Sequence, residues 1–421
     1  MSTPFARLEN EIVDHRFKGL PPDAEGRTVG ALAAERRCLY TGGFTTPVLT
    51  LSAEAVAHNL SSMERFAARH GLVLAPHGKT SMAPQLFRRQ LDHGAWGITV
   101  AVPHQARVAR AFGVPRIFLA NELVDPAALA WLAGEQDADP GFRCVVYVDS
   151  ERGVELMDAA LRDAGARRPL DVVVELGVPG GRSGVRDARA AADVAAVAAR
   201  TATLRLVGVA GYEGEVPGGD AESVRAWLDG LCELAVELDK AGRFSAADEI
   251  IVSAGGSAWF DEVAAAFTEL PELSRPVCAM LRSGAYISHD DGRYRDITPF
   301  NRVPHEGSLL PAFRLWAQVV SRPEPSLALV NAGKRDIAYD LDLPEVQAVR
   351  TPEGVVRGGH GLTVAKVADQ HAFVVGTGEV PRVGDWVGLG MSHPCTIFDK
   401  WPLIPLVAGD GTVTDYIRTF F

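Results

Sequence analysis

The stretch Val73-Leu-Ala-Pro-His-Gly-Lys-Thr80 opens the part of the chain that decides the fold. Its apolar start is typical of a buried strand, and Lys79 follows at the carboxyl end of that strand. From here on, short runs rich in β-branched residues alternate with longer, alanine-rich amphipathic segments. This alternation is typical of βα units arranged around a parallel sheet.

Eight strands can be counted in this repeating part of the sequence. The predicted strands are residues 73–79, 97–102, 116–121, 144–149, 171–177, 204–212, 249–256 and 276–284. Eight units favour a closed (β/α)8 barrel over an open doubly wound sheet, and we assign residues 45–300 to the barrel. In such barrels the active site lies at the carboxyl ends of the strands, and the loops after the seventh and eighth strands commonly hold phosphate.

The sequence changes character after about residue 300. Alternating runs such as Trp316-Ala-Gln-Val-Val-Ser and Asp385-Trp-Val-Gly-Leu are separated by proline, glycine and aspartate turns. This pattern predicts a smaller antiparallel β domain over residues 301–421. We expect residues 1–44 to pack on that domain.

Composition excludes several classes of protein. The chain has 421 residues, 47% of them hydrophobic, and a formal net charge of −11. A large core is therefore possible, whereas nucleic-acid binding is disfavoured, so we expect a small-molecule ligand. No apolar run approaches the roughly 18 residues that span a bilayer, which predicts a cytoplasmic protein without a membrane partner. The five cysteines include no Cys-x-x-Cys pair and imply no disulfide framework.

Lys79 is the leading candidate for a catalytic residue. A lysine at the mouth of a barrel can form a Schiff base with a carbonyl cofactor, whereas the alternative is an ordinary solvated lysine. Its position after the first of eight converging strands favours the first interpretation. His77, two residues earlier, is a further candidate for cofactor contact.

Other strand ends supply candidates for holding such a cofactor. Ser253-Ala-Gly-Gly-Ser257 and Ser283-Gly-Ala285 follow the predicted seventh and eighth strands, where backbone N–H groups and the Ser257 hydroxyl can approach a phosphate. Arg182 follows the fifth strand. If it faced a pyridine nitrogen of the cofactor, its positive charge would keep that nitrogen unprotonated. The alternative for Arg182 is a structural ion pair. Tyr212 ends the sixth strand and can pack against a ring.

A possible metal site lies far along the chain, in Ser392-His-Pro-Cys-Thr-Ile-Phe-Asp-Lys-Trp401. Strand periodicity would point His393 and Cys395 to one face, as a two-residue metal clip requires. Two protein ligands leave open positions on zinc for a Lewis-acid role, and a thiolate favours zinc over manganese. The alternative is a surface histidine and a buried thiol. His360 and His371 are candidates to support the pair.

At these residues the sequence resembles the D-serine dehydratase and D-threonine aldolase family of fold type III pyridoxal-phosphate enzymes, whose N-terminal barrel is related to that of alanine racemase. The resemblance is carried by Pro76-His-Gly-Lys-Thr80, Gly97-Ile-Thr-Val100, Gly180-Gly-Arg-Ser-Gly-Val185, Gly211-Tyr-Glu-Gly214, Arg282-Ser-Gly-Ala-Tyr286, Asp369-Gln-His371 and His393-Pro-Cys395. It implies pyridoxal phosphate on Lys79, zinc on His393 and Cys395, and a homodimer. It also implies that the cofactor is surrounded by His77, Arg182, Tyr212, Gly256, Ser257, Gly284 and Ala285.

The resemblance implies a lyase acting on a D-3-hydroxy amino acid, with D-serine the simplest candidate. In this family His-x-Cys resembles the dehydratases, whereas the aldolases usually carry His-x-Asp. Cys395 therefore favours β-elimination to a 2-oxo acid and ammonia. The alternatives are retro-aldol cleavage to glycine and an aldehyde, an amino-acid racemase, and a non-catalytic pyridoxal-phosphate-binding protein.

Overall fold

A computed structural model describes residues 4–377 and 379–421. The helices are α1 (Pro4–Glu9), α2 (Val29–Ala34), α3 (Ala53–Arg69), α4 (Pro84–Asp92), α5 (Pro103–Ala111), α6 (Pro126–Ala138), α7 (Glu151–Asp163), α8 (Ala188–Ala198), α9 (Ala221–Lys240), α10 (Phe260–Thr268) and α11 (Arg293–Ile297). The strands are β1 (Val48–Ser52), β2 (Val73–Leu74), β3 (Ile98–Val100), β4 (Arg116–Glu122), β5 (Arg143–Val148), β6 (Leu170–Leu176), β7 (Leu204–Gly211), β8 (Ile250–Ala254), β9 (Val277–Leu281), β10 (Phe313–Glu324), β11 (Leu327–Val330), β12 (Glu345–Arg350), β13 (Val356–Gly358), β14 (Leu362–Val367), β15 (Ala372–Gly376), β16 (Trp386–Gly390), β17 (Leu403–Val407) and β18 (Val413–Arg418).

The chain forms two compact units. The barrel unit contains Glu64–Lys79 and Gln90–Gly284, and the β unit contains the described residues up to Met63 together with Thr80–Arg89 and Ala285–Phe421. The chain passes from one unit to the other four times, after Met63, Lys79, Arg89 and Gly284. Strand β1 lies inside the range 45–300 that we assigned to the barrel, yet it pairs with β10 and β17 in the β unit.

The barrel unit contains one parallel sheet of eight strands in the order β2-β9-β8-β7-β6-β5-β4-β3. Its two ends meet, because Leu74 and Pro76 accept hydrogen bonds from the N–H groups of Trp96 and Thr99. The predicted (β/α)8 barrel is confirmed, and all eight predicted strands are present, although their ends differ from the predicted ones. The first is shortened most, because Pro76 has no N–H to donate and the chain turns into a short 3-10 helix at Gly78–Thr80.

Several outer helices of the barrel begin at residues that cap them well. Ser150, Asp187 and Asp220 accept hydrogen bonds from the first-turn N–H groups of α7, α8 and α9. The buried residues of α9 each lie three or four residues from another, as expected for one face of an amphipathic helix, and they are Val224, Leu228, Leu231, Leu234, Ala235 and Leu238.

The β unit is built on a ten-stranded sheet whose main path runs β13-β12-β16-β10-β1-β17-β18. Strands β11, β15 and β14 extend it from β10. One core cluster joins the N-terminal segment to this sheet, and its members are Val13, Phe17, Leu20, Ala24, Val29, Leu32, Leu39, Phe44, Val48, Trp316, Leu403, Val407, Val413 and Tyr416. Within the range 1–44, residues 1–3 lie outside the described residues.

Two further properties concern the chemistry of the chain. None of the helices in the described part of the chain combines the length and the apolar character that crossing a membrane requires. All five cysteines have free thiols.

Candidate functional site

Lys79 lies in the 3-10 turn Gly78–Thr80, directly after the shortened β2, and its side chain is exposed. His77 is anchored beside it, since its N–H donates to the carbonyl of Arg282 at 3.1 Å. The Nδ1 atom of His77 is buried without a hydrogen-bond partner. Burial and the positive charges of Lys79, Arg282 and Arg182 hold the pKa of His77 well below its usual range. The imidazole is therefore neutral at physiological pH.

Arg282 provides a second, buried cation at the barrel mouth. It is only 7% exposed, and its guanidinium donates to the Tyr147 hydroxyl and to the carbonyl of Gly211. The Nε atom of Arg282 has no partner, although it is buried. The guanidinium also lies 5.4 Å from the centre of the Phe118 ring. The sequence predicts a role for Arg182 and none for Arg282, because a sequence does not reveal which of the two arginine side chains is buried in the barrel mouth.

Two carboxyl groups face each other at the carboxyl ends of β4 and β6. Burial and the neighbouring Glu175 raise the pKa of Glu122 to about 8, with a further contribution from Asp149. Glu122 Oε1 and Glu175 Oε2 are buried without hydrogen-bond partners. Because two close carboxylates resist double ionisation, the pair keeps a proton at neutral pH. Glu122, Glu175 and Asp149 are not among the site residues predicted from the sequence.

Tyr212 and Arg182 are brought together by the structure. The guanidinium carbon of Arg182 lies 4.9 Å from the centre of the Tyr212 ring, and Nε of Arg182 forms an ion pair with Glu215 at 3.0 Å. The Arg182 side chain is 59% exposed. In this structure its guanidinium pairs with Glu215 and packs on the Tyr212 ring. Its proposed contact with a pyridine nitrogen stays a prediction.

The glycine-rich loop after β8 is held by an acidic residue. Gly255 N–H donates to Glu213 Oε2 at 2.9 Å, and Gly256 N–H donates to Glu213 Oε1 at 2.5 Å. These two donors, which the sequence suggested for phosphate, are therefore already taken. Ser257, the next residue, is half-buried. Gly284 and Ala285 are buried, and Ala285 begins the 3-10 turn Ala285–Ile287.

The residues of the barrel mouth fit pyridoxal phosphate. An exposed lysine provides the amine for the aldehyde, and the unpartnered buried atoms of His77 and Arg282 are polar groups that a bound molecule can satisfy.

In the β unit, His393 and Cys395 lie side by side, as predicted, but in a turn instead of a strand. His393 precedes the 3-10 turn Pro394–Thr396 and has a positive φ of 71°. Its N–H donates to Asp290 Oδ2 at 2.9 Å, which stabilises this uncommon backbone conformation. The Sγ atom of Cys395 lies 3.7 Å from the hydroxyl oxygen of Thr80.

Asp340 supports the pair, and sequence reasoning missed it. Its Oδ2 lies 2.5 Å from Nδ1 of His393, and its Oδ1 accepts a hydrogen bond from Thr396 at 2.5 Å. The hydrogen bond with Cys395 and the contact with Asp340 raise the pKa of His393 to about 9, despite burial. His360 and His371 are the candidates that the sequence offers for this supporting role, but among the described residues the carboxylate that lies beside the imidazole ring is that of Asp340.

The donor set at this turn fits a zinc ion with open positions. With Nδ1 held by a carboxylate, Nε2 of His393 remains for a metal, and a thiolate beside it is a soft ligand. Residues 4–377 and 379–421 contain no group of three or more His, Cys, Asp or Glu side chains arranged to hold a metal. Two candidate ligands without a third among the described residues fit an open site and not a closed structural one.

Comparison with known proteins assigns both parts of the chain. Residues 51–287, more than half of the chain, match the family model of the alanine racemase N-terminal domain. Residues 312–407 match the model of a putative serine dehydratase domain. The chain belongs to the D-serine dehydratase and D-threonine aldolase family. The resemblance noted from the motifs is confirmed, and with it membership of a fold type III family that depends on pyridoxal phosphate.

The relatives within this family include both reaction types. A D-threonine aldolase from Arthrobacter sp is 30% identical over 375 residues, which are 88% of this chain and 90% of that one. The crystal structure of a D-threonine aldolase from Filomicrobium marinum has a TM-score of 0.74 at 24% identity, covering 89% of this chain and 94% of that one. The D-threo-3-hydroxyaspartate dehydratase from Delftia sp. HT23 has a TM-score of 0.69 at 21% identity, covering 89% and 97%. At these identities the two solved structures support the fold alone.

Proposed function

We propose that this protein is a lyase that uses pyridoxal phosphate and zinc to remove the β-hydroxyl group of a D-3-hydroxy amino acid. The substrate loses its Cα proton and its β-hydroxyl as water, and hydrolysis then gives a 2-oxo acid and ammonia. D-Serine is the simplest candidate. The observation that carries the proposal is the pair of His393 and Cys395, in which Oδ2 of Asp340 lies 2.5 Å from Nδ1 of His393. The hydroxyl oxygen of Thr80 lies 3.7 Å from Sγ of Cys395.

Lys79 has two roles in this proposal. Its Nζ atom would hold the cofactor, and its amine, when free, would accept the proton from Cα of the substrate, which is general-base catalysis. Pyridoxal phosphate, when bound, supplies an electron-withdrawing ring that stabilises the negative charge left on Cα. The neutral His77 adds no further positive charge beside Lys79.

The metal pair would act on the departing hydroxyl group. His393 through Nε2 and Cys395 through Sγ would hold the ion, with the carboxylate of Asp340 fixing the ring. Zinc, when bound, supplies a Lewis acid for an oxygen that would otherwise be a poor leaving group. His393 must lose its second proton before it can bind a metal, so metal uptake at neutral pH releases a proton.

Retro-aldol cleavage is the second candidate, because the Arthrobacter relative at 30% identity is a D-threonine aldolase. In that reaction the β-hydroxyl loses its proton, the bond between Cα and Cβ breaks, and glycine and an aldehyde result. The same lysine and the same metal pair serve both reactions. The products therefore distinguish the two candidates.

The test is to incubate the purified protein, with pyridoxal phosphate and zinc, with a panel of D- and L-3-hydroxy amino acids. We expect 2-oxo acid and ammonia in equal amounts, from D substrates only. Glycine with an aldehyde would establish the aldolase instead. Lys79→Ala should abolish turnover, and Lys240→Ala, at the exposed end of α9, is the matched control. Turnover by Lys79→Ala would contradict both candidates.

Cys395→Asp tests whether the second metal ligand selects the reaction. It converts His-x-Cys to the His-x-Asp form that resembles the aldolases. We expect oxo-acid formation to fall and glycine formation to rise, because a harder ligand alters the Lewis acidity of zinc. Cys232→Ala, at a half-buried thiol of the barrel unit, should leave the product ratio unchanged. Unaltered products with Cys395→Asp would remove Cys395 as an argument for elimination.

Two further expectations belong to the proposal. We expect a homodimer, supported by the family resemblance, and sedimentation of the purified protein tests it. We expect a cytoplasmic location, and fractionation of the source cells tests that. Neither bears on which of the two reactions takes place.

A further inference from the structure

Glu213 is a buried carboxylate next to the predicted phosphate site, and the proposed function gives it no role. It is 1% exposed, and both of its oxygens accept hydrogen bonds from consecutive backbone N–H groups, those of Gly255 and Gly256. Burying a carboxylate is costly unless hydrogen bonds stabilise it, and two adjacent N–H groups form an anion-binding concavity that does so. The carboxylate and the loop therefore stabilise each other.

The loop is also held from its other side. The hydroxyl of Ser283, itself 1% exposed, donates to the carbonyl oxygen of Gly256 at 2.8 Å and lies 3.3 Å from that of Gly255. Glu213 thus binds the N–H groups of the two glycines and Ser283 binds their carbonyls. The two peptide units have little freedom to rotate.

Only glycine fits in this arrangement. Gly255 has a φ of +101°, and a Cβ atom on it would lie 2.5 Å from Cδ2 of Leu281. A Cβ atom on Gly256 would lie 2.7 Å from Cε2 of Tyr212 and 3.1 Å from Oε1 of Glu213. Gly256 is thus required for the approach of Glu213 and Tyr212, and Gly255 for its positive φ, so neither glycine needs to contact phosphate itself.

We propose that Glu213 is a positioning residue that, together with Ser283, fixes the Gly255–Gly256 loop so that Ser257, the next residue, is presented to the phosphate of the cofactor. The inference rests on the proposed function, because it assumes that pyridoxal phosphate binds in the barrel mouth. It also differs from the simple phosphate loop suggested by the sequence, since the negative Glu213 occupies the two glycine N–H groups. Contact with the phosphate therefore falls to Ser257 and not to those two glycines.

The test compares two ligands that differ only in the phosphate. Apoprotein is titrated with pyridoxal phosphate and with pyridoxal, and the dissociation constants are measured from the absorbance of the bound cofactor. Glu213→Gln keeps the size of the side chain but leaves one oxygen as a hydrogen-bond acceptor. Its NH2 group would face the N–H group of Gly255 or Gly256, and two donors cannot bond to each other. We expect it to weaken pyridoxal phosphate binding by about tenfold to a hundredfold, as for loss of a hydrogen bond to a charged group, with pyridoxal binding unchanged.

A smaller change and a control complete the design. Ser283→Ala removes the link to the carbonyls and should weaken pyridoxal phosphate binding by roughly threefold to tenfold. It serves as the decisive variant where Glu213→Gln does not fold. Glu222→Gln alters an exposed carboxylate in the first turn of α9 and should leave both affinities unchanged.

The outcomes separate this inference from the proposed function. Unchanged pyridoxal phosphate affinity in folded variants overturns the inference and leaves the proposed function intact. Equal weakening of both ligands also overturns it, because the role of Glu213 would then be structural for the whole mouth. Failure of the wild-type protein to bind pyridoxal phosphate overturns the proposed function and the inference with it.

Discussion

Glu122 makes the stability of the barrel unit depend on pH. Its pKa in the folded protein is about 8, because burial and Glu175 disfavour its charge, whereas an unfolded glutamate titrates near 4.3. Between these values the folded state keeps a proton that the unfolded state has lost. The contribution of this carboxyl to stability is therefore complete below about pH 4 and declines as the pH rises towards 8.

Glu122→Gln tests this linkage, because glutamine resembles the protonated acid and does not titrate. We expect the melting temperature of the wild-type apoprotein to fall, relative to that of the variant, between pH 5.5 and 8. Scanning calorimetry across this range measures the difference. Glu233→Gln, an exposed change on α9, should give a profile parallel to that of the wild type. If the melting temperature of Glu122→Gln also followed the wild-type dependence on pH, Glu122 and Glu175 would not retain a proton in the folded protein.

At the residue scale, some residues of the candidate site can be predicted from the sequence and others cannot. Lys79, His393 and Cys395 are predicted from the sequence because each stands in a short motif whose spacing has a chemical meaning. Asp340 was missed because it lies 53 residues from His393 in a loop without periodicity, and only the fold brings them together. The sequence also did not predict that Glu213 accepts hydrogen bonds from the N–H groups of Gly255 and Gly256. A glycine-rich motif indicates available donors, but the acceptor that they contact depends on the fold.

At the scale of elements, a charged ladder joins the amino ends of four neighbouring barrel strands. Asp171 of β6 is 1% exposed and accepts hydrogen bonds from Nε of Arg143 on β5 at 2.7 Å and from Nε of Arg205 on β7 at 2.6 Å. Arg143 also pairs with Glu249, which precedes β8. Interactions at this end of a barrel serve stability, whereas the opposite end serves chemistry.

Asp171→Asn should therefore destabilise the protein without altering the cofactor site. Removing the charge leaves two partly buried arginines without their shared partner, which costs about 3–5 kcal/mol. Urea unfolding of the apoprotein measures the loss, and pyridoxal phosphate titration should give the wild-type affinity. Asp248→Asn is the control, because its side chain is 94% exposed and pairs with the same Arg205. Equal stability of the two variants would show that the ladder contributes nothing.

The elements also show where pattern reading succeeds. Seven predicted barrel strands differ from the observed ones mainly in their ends, because apolar β-branched runs bounded by turn residues mark strands locally. The position of strand β1 in the β unit could not be predicted from the sequence. It pairs with β10 and β17, which are more than 250 residues further along the chain. Pairing at that distance leaves no periodicity in the sequence.

At the scale of the whole molecule, the N-terminal segment decides whether the β unit has a complete core. Phe17, Leu20 and Leu32 are buried in the same cluster as Trp316 and Tyr416 of the sheet. Full burial of each large apolar side chain contributes roughly 1.5–3 kcal/mol, and a folded protein is stable by only about 5–15 kcal/mol. The segment therefore supplies a share of the core that the β unit cannot lose.

Deleting residues 1–44 should consequently prevent cooperative folding of the β unit. We expect the deleted protein to lose the near-ultraviolet circular dichroism of Trp316 and its neighbours and to bind a hydrophobic dye. The control deletes residues 1–9, which removes α1, whose one buried residue among those described is Leu8. That shorter deletion should melt cooperatively within a few degrees of the wild type. A cooperative transition at the wild-type temperature after the longer deletion would mean that the sheet completes its core without the segment, and that the range 1–44 is an appendage of the domain.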